Sequence, residues 1–477
     1  MIDDPRGAPR RPRRDSGDGE GDFQRAFTGS VVVLAVLCLV FLGLTTFQGP
    51  KLASAVVDPA LVVQQPGQQL RLFTNQAVAQ VAEDQVTITP AAPFTVSTDG
   101  DVISIEFEQS LHYGTDYVVE VSDVTSPYQE RPATLRHEFR TEPETVHLLD
   151  RAEPGSGEQD VIQAGELTAE GLTGLVAVYR DERILDFVVA GQALAVVTEA
   201  ASDDHRLSIV SLFDGAVEEI ELPGAGTLDE LQANSGFAVG FRFTSAGDPL
   251  AREYAQTLFW MDLEGAHTPS PVHGLTGDSL SVSDWAFVPP QGAIAALATD
   301  QSLLLIDPRG EDPAVPLGIW EGLDDISADG STAIVRDLYD TIVLSLADGS
   351  AEPFGPSPID GVVPFGGEVE LLQAGPARVQ KVSVYDPEAG VFVSRVVADD
   401  GVESRSLFLS ESGAGSIDEI SVSPNGQFVA VEFVPDVATA VSDAYYPFAR
   451  ADTIRTVLVD IATGRRVADV PGFGIAW

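Results

Sequence analysis

The chain has 477 residues, a formal net charge of −46 and one cysteine, Cys38. A surface this acidic repels polyanions, which argues against DNA or RNA as a partner. Since disulfides need pairs of cysteines, the fold must be stabilised by buried apolar surface instead.

The first feature along the chain is the uncharged apolar run FTGSVVVLAVLCLVFLGLTTF at 27–47. As a helix it is long enough to cross a bilayer core of about 30 Å. Residues 1–26 contain six arginines and few apolar side chains, which predicts a disordered cytoplasmic tail. The sequence therefore predicts a single-pass membrane protein with an extracytoplasmic C-terminal part, beginning with a linker over 48–66.

Short strands with alternating apolar residues fill residues 67–143, for example VISIEFE and YVVEVSDV. This pattern predicts a small antiparallel β-sandwich, with Tyr117, Val119 and Val121 on one face. The stretch LHYGTDYVVEV at 111–121 resembles the bacterial Ig-like domain of the surface-layer (SbsA) type. The resemblance implies a structural or spacer module without catalytic residues.

One strand-rich unit repeats through residues 146–477. Each copy has a hairpin with glycine near its turn, followed by a strand that ends in an Asp- and Gly-containing turn. Six full copies occupy 183–223, 227–273, 280–317, 319–355, 359–410 and 416–470. Repeats of four short strands are typical of a β-propeller. The turn SPNG at 423–426 resembles the S-P-D-G turn of TolB and WD-type propellers, which implies the fold and not the function.

Two pieces remain outside the six copies, namely 146–181 and the tip GFGIAW at 472–477. We interpret the tip as the first strand of a further blade and the N-terminal runs as its other strands. The overall prediction is an all-β protein: one transmembrane helix, an Ig-like sandwich and a seven-bladed propeller closed by the C-terminal strand. The alternative is a six-bladed ring, with the leftover strands as a connector.

No sequence motif supports catalysis or metal binding. The GDSL at 277–280 lacks the D-x-x-H that supplies a histidine to a nucleophilic serine. His267 and His273 lie six residues apart, a weak hint of a metal site. Paired acids do not have the spacing of a calcium loop, and they occur at 203–204, 324–325 and 399–400. We therefore predict no enzymatic activity, no cofactor and no metal.

The candidate binding residues lie in an insertion over 434–451, which interrupts the last full repeat. Tyr445, Tyr446 and Phe448 form an aromatic cluster there, and aromatic residues are favoured at binding surfaces. Their replacement by alanine is predicted to weaken partner capture while leaving the melting temperature nearly unchanged. The alternative is that these aromatics fold back on the blade.

Two functions remain open. The first is a membrane-anchored binding or scaffold module for an envelope or extracellular protein partner. The second is an extracytoplasmic hydrolase or lyase with its site in the central mouth of the propeller. A mouth lined by clustered Asp, Glu, His and Arg favours the second function, and a plugged or apolar mouth favours the first.

Overall fold

The computed structural model describes residues 25, 27–37, 49–153, 155–201, 204–234, 238–289, 292–359, 361–372, 377–387, 390–410, 414–445 and 447–477. These residues form antiparallel strands, numbered here β1 to β35, and the predicted all-β class is confirmed. Short helical segments occur at Leu61–Gln64 and Glu83–Gln85.

Only part of the predicted membrane segment 27–47 belongs to the described residues. Residues 27–37 are helical, and Cys38 lies outside the described part of the chain. Among the helices that the structure describes, none combines the length and the apolar character needed to cross a membrane.

Two sheets packed on one core form the first unit. The first sheet has the strand order β1-β2-β5-β4 and the second β3-β6-β7. Tyr117, Val119 and Val121 are all buried, so the predicted common face is confirmed. The strands are β1 (Leu52–Val56), β2 (Gln69–Thr74), β3 (Val86–Thr89), β4 (Phe94–Asp99), β5 (Val102–Phe107), β6 (Asp116–Ser126) and β7 (Gln129–Arg140).

The predicted linker 48–66 differs from the structure. Strand β1 lies inside it and pairs with β2, and Val62 and Val63 are buried in the core of the first unit. The segment LASAV has too few large apolar residues to show strand alternation in the sequence. Its structure comes from pairing with β2.

Seven four-stranded antiparallel sheets follow in the described chain. In chain order their strands are β8 (Glu144–Asp150), β9 (Asp160–Thr168) and β10 (Gly171–Asp181), with β35 (Phe473–Ala476), for sheet 1; β11 (Ile184–Ala190), β12 (Ala193–Ala201), β13 (Asp204–Ser211) and β14 (Val217–Ile220) for sheet 2; β15 (Gly226–Ala233), β16 (Ala238–Ser245), β17 (Thr257–Asp262) and β18 (Ser270–Pro271) for sheet 3; β19 (Val282–Val288), β20 (Ala293–Ala298), β21 (Ser302–Ile306) and β22 (Val315–Ile319) for sheet 4; β23 (Gly322–Ile326), β24 (Thr332–Arg336), β25 (Thr341–Ser345) and β26 (Ala351–Phe354) for sheet 5; β27 (Phe365–Leu371), β28 (Arg378–Asp386), β29 (Val391–Asp399) and β30 (Ser404–Leu409) for sheet 6; and β31 (Ser416–Val422), β32 (Phe428–Val434), β33 (Arg455–Asp460) and β34 (Arg466–Pro471) for sheet 7.

The first strands of these sheets face one another around a common centre. Strand β11 contacts β15, and contacts continue through β19, β23 and β27 to β31. Strand β35 pairs with β8, with Phe473 opposite Leu149, and also contacts β11 and β33. The predicted pairing of the C-terminal tip with the N-terminal strands is therefore confirmed. Repeated four-stranded sheets in this order have the architecture of a β-propeller.

A polar and aromatic junction joins the first unit to sheet 7. The Tyr113 amide donates a hydrogen bond of 2.8 Å to Gln427 Oε1, and Asn425 Nδ2 donates one of 3.0 Å to the Leu111 carbonyl. The rings of Tyr113 and Phe428 stack with their centroids 6.5 Å apart. The two stretches that carry the family resemblances therefore meet in space.

Candidate functional site: an acid-lined axis

The strands at the common centre carry acidic side chains. Ten carboxylates lie on β11, β15, β19, β23, β27 and β31, and an eleventh lies on β32 behind β31. We call this set the acid-lined axis, and it consists of Asp186, Asp229, Glu230, Asp284, Asp324, Asp325, Glu368, Glu370, Asp418, Glu419 and Glu432.

A break in strand register accompanies the acids in every one of these six strands. The pairing of β11 with β12 shifts between Ile184 and Asp186, and that of β19 with β20 shifts between Val282 and Asp284. The other four strands have the same irregularity beside their acids. Such bulges re-aim side chains and often occur next to functional sites. The repeat therefore places a carboxylate at the centre in sheet after sheet.

Some of these carboxylates have a structural role, because the inner edge of each sheet leaves backbone N–H groups without a strand partner. Asp325 Oδ2 accepts a hydrogen bond of 2.7 Å from the Leu371 amide in the next sheet. In the same way, Asp284 accepts a hydrogen bond from the Leu323 amide, and Glu370 accepts one from the Val422 amide. These three acids therefore link neighbouring sheets by hydrogen bonds from side chain to backbone.

Three arginines form ion pairs with five of the remaining acids. Arg242 pairs with Asp229 at 2.7 Å and with Glu230 at 2.9 Å. Arg336 pairs with Asp324 at 2.6 Å. Arg450 lies 3.5 Å from both Asp418 and Glu419, and Lys381 donates to the Asp418 carbonyl. With Arg151, whose charge acts on Asp186, eleven carboxylates therefore face five cations within the described chain.

Two buried carboxylate oxygens at the axis have no hydrogen-bond partner in the described chain, namely Glu230 Oε2 and Glu432 Oε2. Glu432 is only 4% exposed, and its other oxygen accepts the Gly474 amide. Its electrostatic neighbours are Glu419, Asp418 and Arg450. A buried acceptor left without a donor is costly, so Glu432 marks a place where a ligand N–H or cation is favoured.

Burial and mutual repulsion raise the pKa of several buried carboxylates at the axis. Burial, followed by the charge of Glu419, raises the pKa of Glu368 to about 7 and that of Glu432 to about 7. Burial likewise raises the pKa of Asp186 to about 7, and that of Glu370 well above its ordinary value. Desolvation and like charges both disfavour the ionised form. The axis therefore binds protons more tightly than isolated carboxyl groups do.

These shifts predict a pH-dependent stability. The unfolded chain releases these protons near pH 4, whereas the folded chain keeps them to about pH 7. The stabilisation is complete below about pH 4 and is lost as the pH rises to 7. We expect Glu368→Gln to flatten the fall in melting temperature between pH 5 and pH 8.

The exposed Glu108→Gln is the matched control, and its melting profile should follow that of the parent protein. Comparison between variants is needed because burial lowers the pKa of histidines such as His147, to about 4. Those histidines lower the stability of the fold as the pH falls below about 6.5, whereas the axis carboxylates raise it. Parallel profiles for Glu368→Gln and the parent would contradict the prediction.

The aromatic insertion lies partly in the interior. Tyr445 is 5% exposed, and Phe448 is half-buried with its ring centroid 6.0 Å from that of His205. Tyr446 lies outside the described residues. Tyr445 therefore folds back on the sheets, as in the alternative left open by the sequence, and does not contribute to an exposed aromatic surface.

A buried network explains the inward position of Tyr445. Its hydroxyl lies 2.9 Å from both carboxylate oxygens of Asp160, and Arg151 and Arg183 each place a guanidinium 4.2 Å from its ring centroid. Arg151 also forms a buried ion pair of 2.6 Å with Asp443. These partners belong to sheets 1 and 2, so the insertion forms a strap from sheet 7 to its neighbours.

Replacing Tyr445 should therefore affect stability. We expect Tyr445→Ala to lower the free energy of unfolding by about 3–5 kcal/mol, as for other buried aromatics. Tyr445→Phe removes only the hydroxyl and should cost about 1–2 kcal/mol. Urea denaturation measures both, with the exposed Tyr339→Ala as a control near zero. An unchanged unfolding midpoint for Tyr445→Ala would instead support the prediction that Tyr445 belongs to an exposed binding surface.

The other sequence motifs are peripheral to the axis. Ser279 of the GDSL stretch forms an isolated backbone bridge with His273, and His267 Nδ1 lies 2.9 Å from Glu218. No group of three or more His, Cys, Asp or Glu in the described part of the chain is arranged to hold a metal ion. Asp324 and Asp325 belong to the axis, whereas Asp203 lies outside the described residues.

Sequence reasoning missed the axis, although its signal is present in the repeats. The first strand of each repeat contains an acid within an apolar run, as in LDFVV, LDEL, SDWAF, DDI, EVEL and IDEI. Aligning the repeats on these strands would have placed the acids together. Asp, Glu and Arg cluster at the axis, whereas histidine does not contribute to its described part, so only some of the side chains expected of a hydrolase or lyase mouth come together.

Comparisons with known proteins give the fold context. No family model and no curated protein matches the chain. Among solved structures it is similar to dihydro-heme d1 dehydrogenase NirN, at 12% identity and a TM-score of 0.41 over 69% of this chain and 74% of that one. It is also similar to a Lactobacillus plantarum protein, at 14% identity and a TM-score of 0.43 over 69% of this chain and 96% of that one.

A prolyl endopeptidase structure matches at 13% identity and a TM-score of 0.45, over 78% of this chain and 49% of that one. Likenesses this distant carry no argument about activity. The class of the protein follows from its own topology: it is an all-β protein of repeated four-stranded antiparallel sheets, arranged as in a β-propeller around an acidic centre.

Proposed function

We propose that this chain is a non-enzymatic binding protein of the cell envelope whose acid-lined axis binds a basic segment of a partner protein. The observation that supports the proposal is the excess of carboxylates over cations at the axis, together with the unpartnered oxygen of Glu432. Negative clefts attract positive ligands and raise their association rates.

The distribution of the acids favours a ligand with several separated charges. The carboxylates are spread over the first strands of six sheets, and Asp186 of sheet 2 lies close enough to Glu419 of sheet 7 for their charges to interact. A segment rich in lysine and arginine can pair with several of them at once. Its N–H groups would also supply the donors that buried carboxylates require.

The test uses two peptides of equal length, one alternating Lys with Gly and one alternating Glu with Gly. We expect the lysine peptide to bind and the glutamate peptide not to bind, with affinity falling steeply as salt is added. The triple variant Glu368→Gln, Glu370→Gln and Glu419→Gln should lose tenfold or more in affinity. Calorimetry or fluorescence anisotropy measures both effects.

A matched triple variant on the first unit separates the axis from general surface charge. Changing Glu83, Glu108 and Glu120 to glutamine removes the same number of carboxyl groups from a surface distant in sequence from the axis. This variant should bind like the parent protein. Equal weakening in both triple variants would show that net charge alone attracts the peptide, and the proposal would fail.

We further propose that the seven sheets form a closed seven-bladed ring, that residues 52–140 are an Ig-like spacer, and that 27–47 anchor the chain in the cell membrane. The contacts from β11 to β31 and the pairing of β35 with β8 support the ring. The uncharged run and the arginine-rich tail support the anchor.

The anchor predicts which part of the chain a protease can reach. Protease added to intact cells should remove the residues after 47 and leave a small fragment that contains 1–47. An antibody tag at the N-terminus should report that fragment, and a tag at the C-terminus should disappear. Full protection of the C-terminal tag in intact cells would contradict the extracytoplasmic orientation.

The second candidate function is a hydrolase or lyase at the same axis. Asp325 and Glu370 favour it, because burial raises the pKa of Asp325 to about 6 and that of Glu370 well above its ordinary value. Two carboxyl groups with different pKa values can act as a general acid and a general base. Turnover of a polysaccharide or ester substrate that is abolished in Glu370→Gln would favour this function over binding alone.

A further inference from the structure

Three aromatic side chains form an exposed cluster at one end of sheet 6. Phe365 begins β27, Tyr385 lies near the end of β28, and Phe392 lies near the start of β29. The ring centroid of Phe392 lies 5.5 Å from that of Phe365 and 5.3 Å from that of Tyr385. In chain order the three residues are 65%, 51% and 60% exposed. We call these three residues the rim cluster.

Strand pairing brings the three rings together. Phe365 is opposite Ser383, and Tyr385 is opposite Phe392. Directly opposed residues share a face of a sheet, and so do residues two apart, so the three rings lie on one face. Single exposed aromatics are normal in proteins. Rings that contact one another while each stays more than half exposed indicate a surface for a ligand or partner.

The rim cluster lies beside the acid-lined axis. Phe365 is on the same strand as Glu368 and Glu370, and Glu368 follows it by three residues, at most about 10 Å along the chain. Lys381 is on the same face as Tyr385, four residues before it, and its charge acts on Glu368. A ligand segment only a few residues long can therefore contact the rings and the carboxylates at once.

The first unit contacts the opposite end of the neighbouring sheet. It forms hydrogen bonds with Asn425 and Gln427 at the turn between β31 and β32. The link from β30 to β31 lies at the other end of β31, and this is also the end of sheet 6 that carries the β28–β29 turn. The rim cluster therefore lies at the end of the axis that is distant from the first unit.

We propose that the rim cluster and the acid-lined axis together bind one segment of a partner protein, in which lysine or arginine alternates with large apolar residues. The inference rests on the proposed function and adds the apolar half of the partner's chemistry. Charge complementarity selects this occupant, because carboxylates exceed cations at the neighbouring axis. The net charge of −46 disfavours a second copy of this chain, and an anionic membrane surface, at the same place.

The test adds a second peptide to the alternating Lys-Gly peptide, with the same length and charge but with two central glycines replaced by tryptophan. We expect the tryptophan peptide to bind the parent protein at least tenfold more tightly than the Lys-Gly peptide. A double variant with Tyr385→Ser and Phe392→Ser should lose this difference, so that the two peptides bind it with similar affinity. Calorimetry measures all four affinities.

The matched control is a double variant with Tyr128→Ser and Phe213→Ser, because these residues are also a tyrosine and a phenylalanine and are 87% and 88% exposed. This control should keep the tenfold preference for the tryptophan peptide. Both double variants should melt close to the parent protein, since substitutions of exposed side chains cost little stability.

Several results would overturn the inference. If the Lys-Gly peptide bound without any gain from tryptophan, or if both double variants lost the preference equally, the rim cluster would have no role and the proposed function would stand. Equal binding of a Glu-Gly peptide with the same two tryptophans would show that the axis does not select the occupant. A parent protein that self-associates in sedimentation, and becomes monomeric with Tyr385→Ser and Phe392→Ser, would assign the rings to a contact between copies. Binding of neither lysine peptide would overturn both this inference and the proposed function.

Discussion

Removing residues 472–477 is expected to open the contact between sheets 1 and 7 and to produce the largest loss of stability. Phe473 is buried, and the partly buried Ile475 and Trp477 pack against a core that the first unit shares with sheets 1 and 7. At roughly 1.5–3 kcal/mol for a fully buried side chain, and about half of that for a partly buried one, the loss is about 3–6 kcal/mol. This approaches the whole net stability of a typical domain.

The loss of strand β35 also removes specific hydrogen bonds. The Gly474 amide no longer reaches Glu432, and Thr456 loses its 2.9 Å bond to the Gly472 carbonyl. Strand β8 is left with an unpaired edge, which favours aggregation. Calorimetry with light scattering should show early melting and association, while Phe473→Leu should shift the midpoint only slightly. A monomeric truncated protein that melts within a few degrees of the parent would contradict the closure by β35.

Replacing Arg151 with methionine is expected to cost about 3–5 kcal/mol, as for other broken buried ion pairs. Arg151 and Asp443 have side chains only 4% and 6% exposed. The guanidinium also donates to the carbonyls of Ile184, Leu185 and Phe448. Replacing Arg151 therefore leaves one buried carboxylate and three carbonyl oxygens without their hydrogen-bond donor, at the place where sheets 1 and 2 meet the strap.

The control for Arg151→Met is Arg136→Met, which breaks an ion pair with Glu138 whose side chains are 57% and 63% exposed. Exposed pairs contribute little, so this variant should stay within about 1 kcal/mol of the parent. Guanidinium unfolding curves give both values. If the two variants lost the same small amount, the Arg151 network would not hold the strap.

Much of the fold could be predicted because its signals are local. Alternation in β2, β5 and β6 indicated the strands, and the repeated hairpins indicated the four-stranded sheets. The alternation of Phe473, Ile475 and Trp477 indicated a paired strand at the tip. Apolar periodicity is sufficient in these cases because each strand buries one face.

The site could not be predicted in the same way because its residues come together only through tertiary structure. Tyr445 reaches Asp160 across 285 positions of sequence, and composition alone does not show which aromatic of an insertion turns inward. The axis acids come from six different repeats, and each of them alone resembles an ordinary polar residue in a strand. The sequence did not indicate strand β1, because its extended conformation comes from pairing with β2 and not from an apolar pattern of its own.

The junction between the first unit and sheet 7 determines how the molecule responds to mechanical load. The chain enters sheet 1 directly after the first unit. Its Tyr113 amide donates to Gln427 of sheet 7, Asn425 donates to the Leu111 carbonyl, and the ring of Tyr113 stacks on Phe428. Tension applied on the N-terminal side is therefore shared between sheets 1 and 7, which meet where β35 contacts β33. In force spectroscopy, Gln427→Ala should lower the first rupture force, because tension would then reach sheet 1 alone.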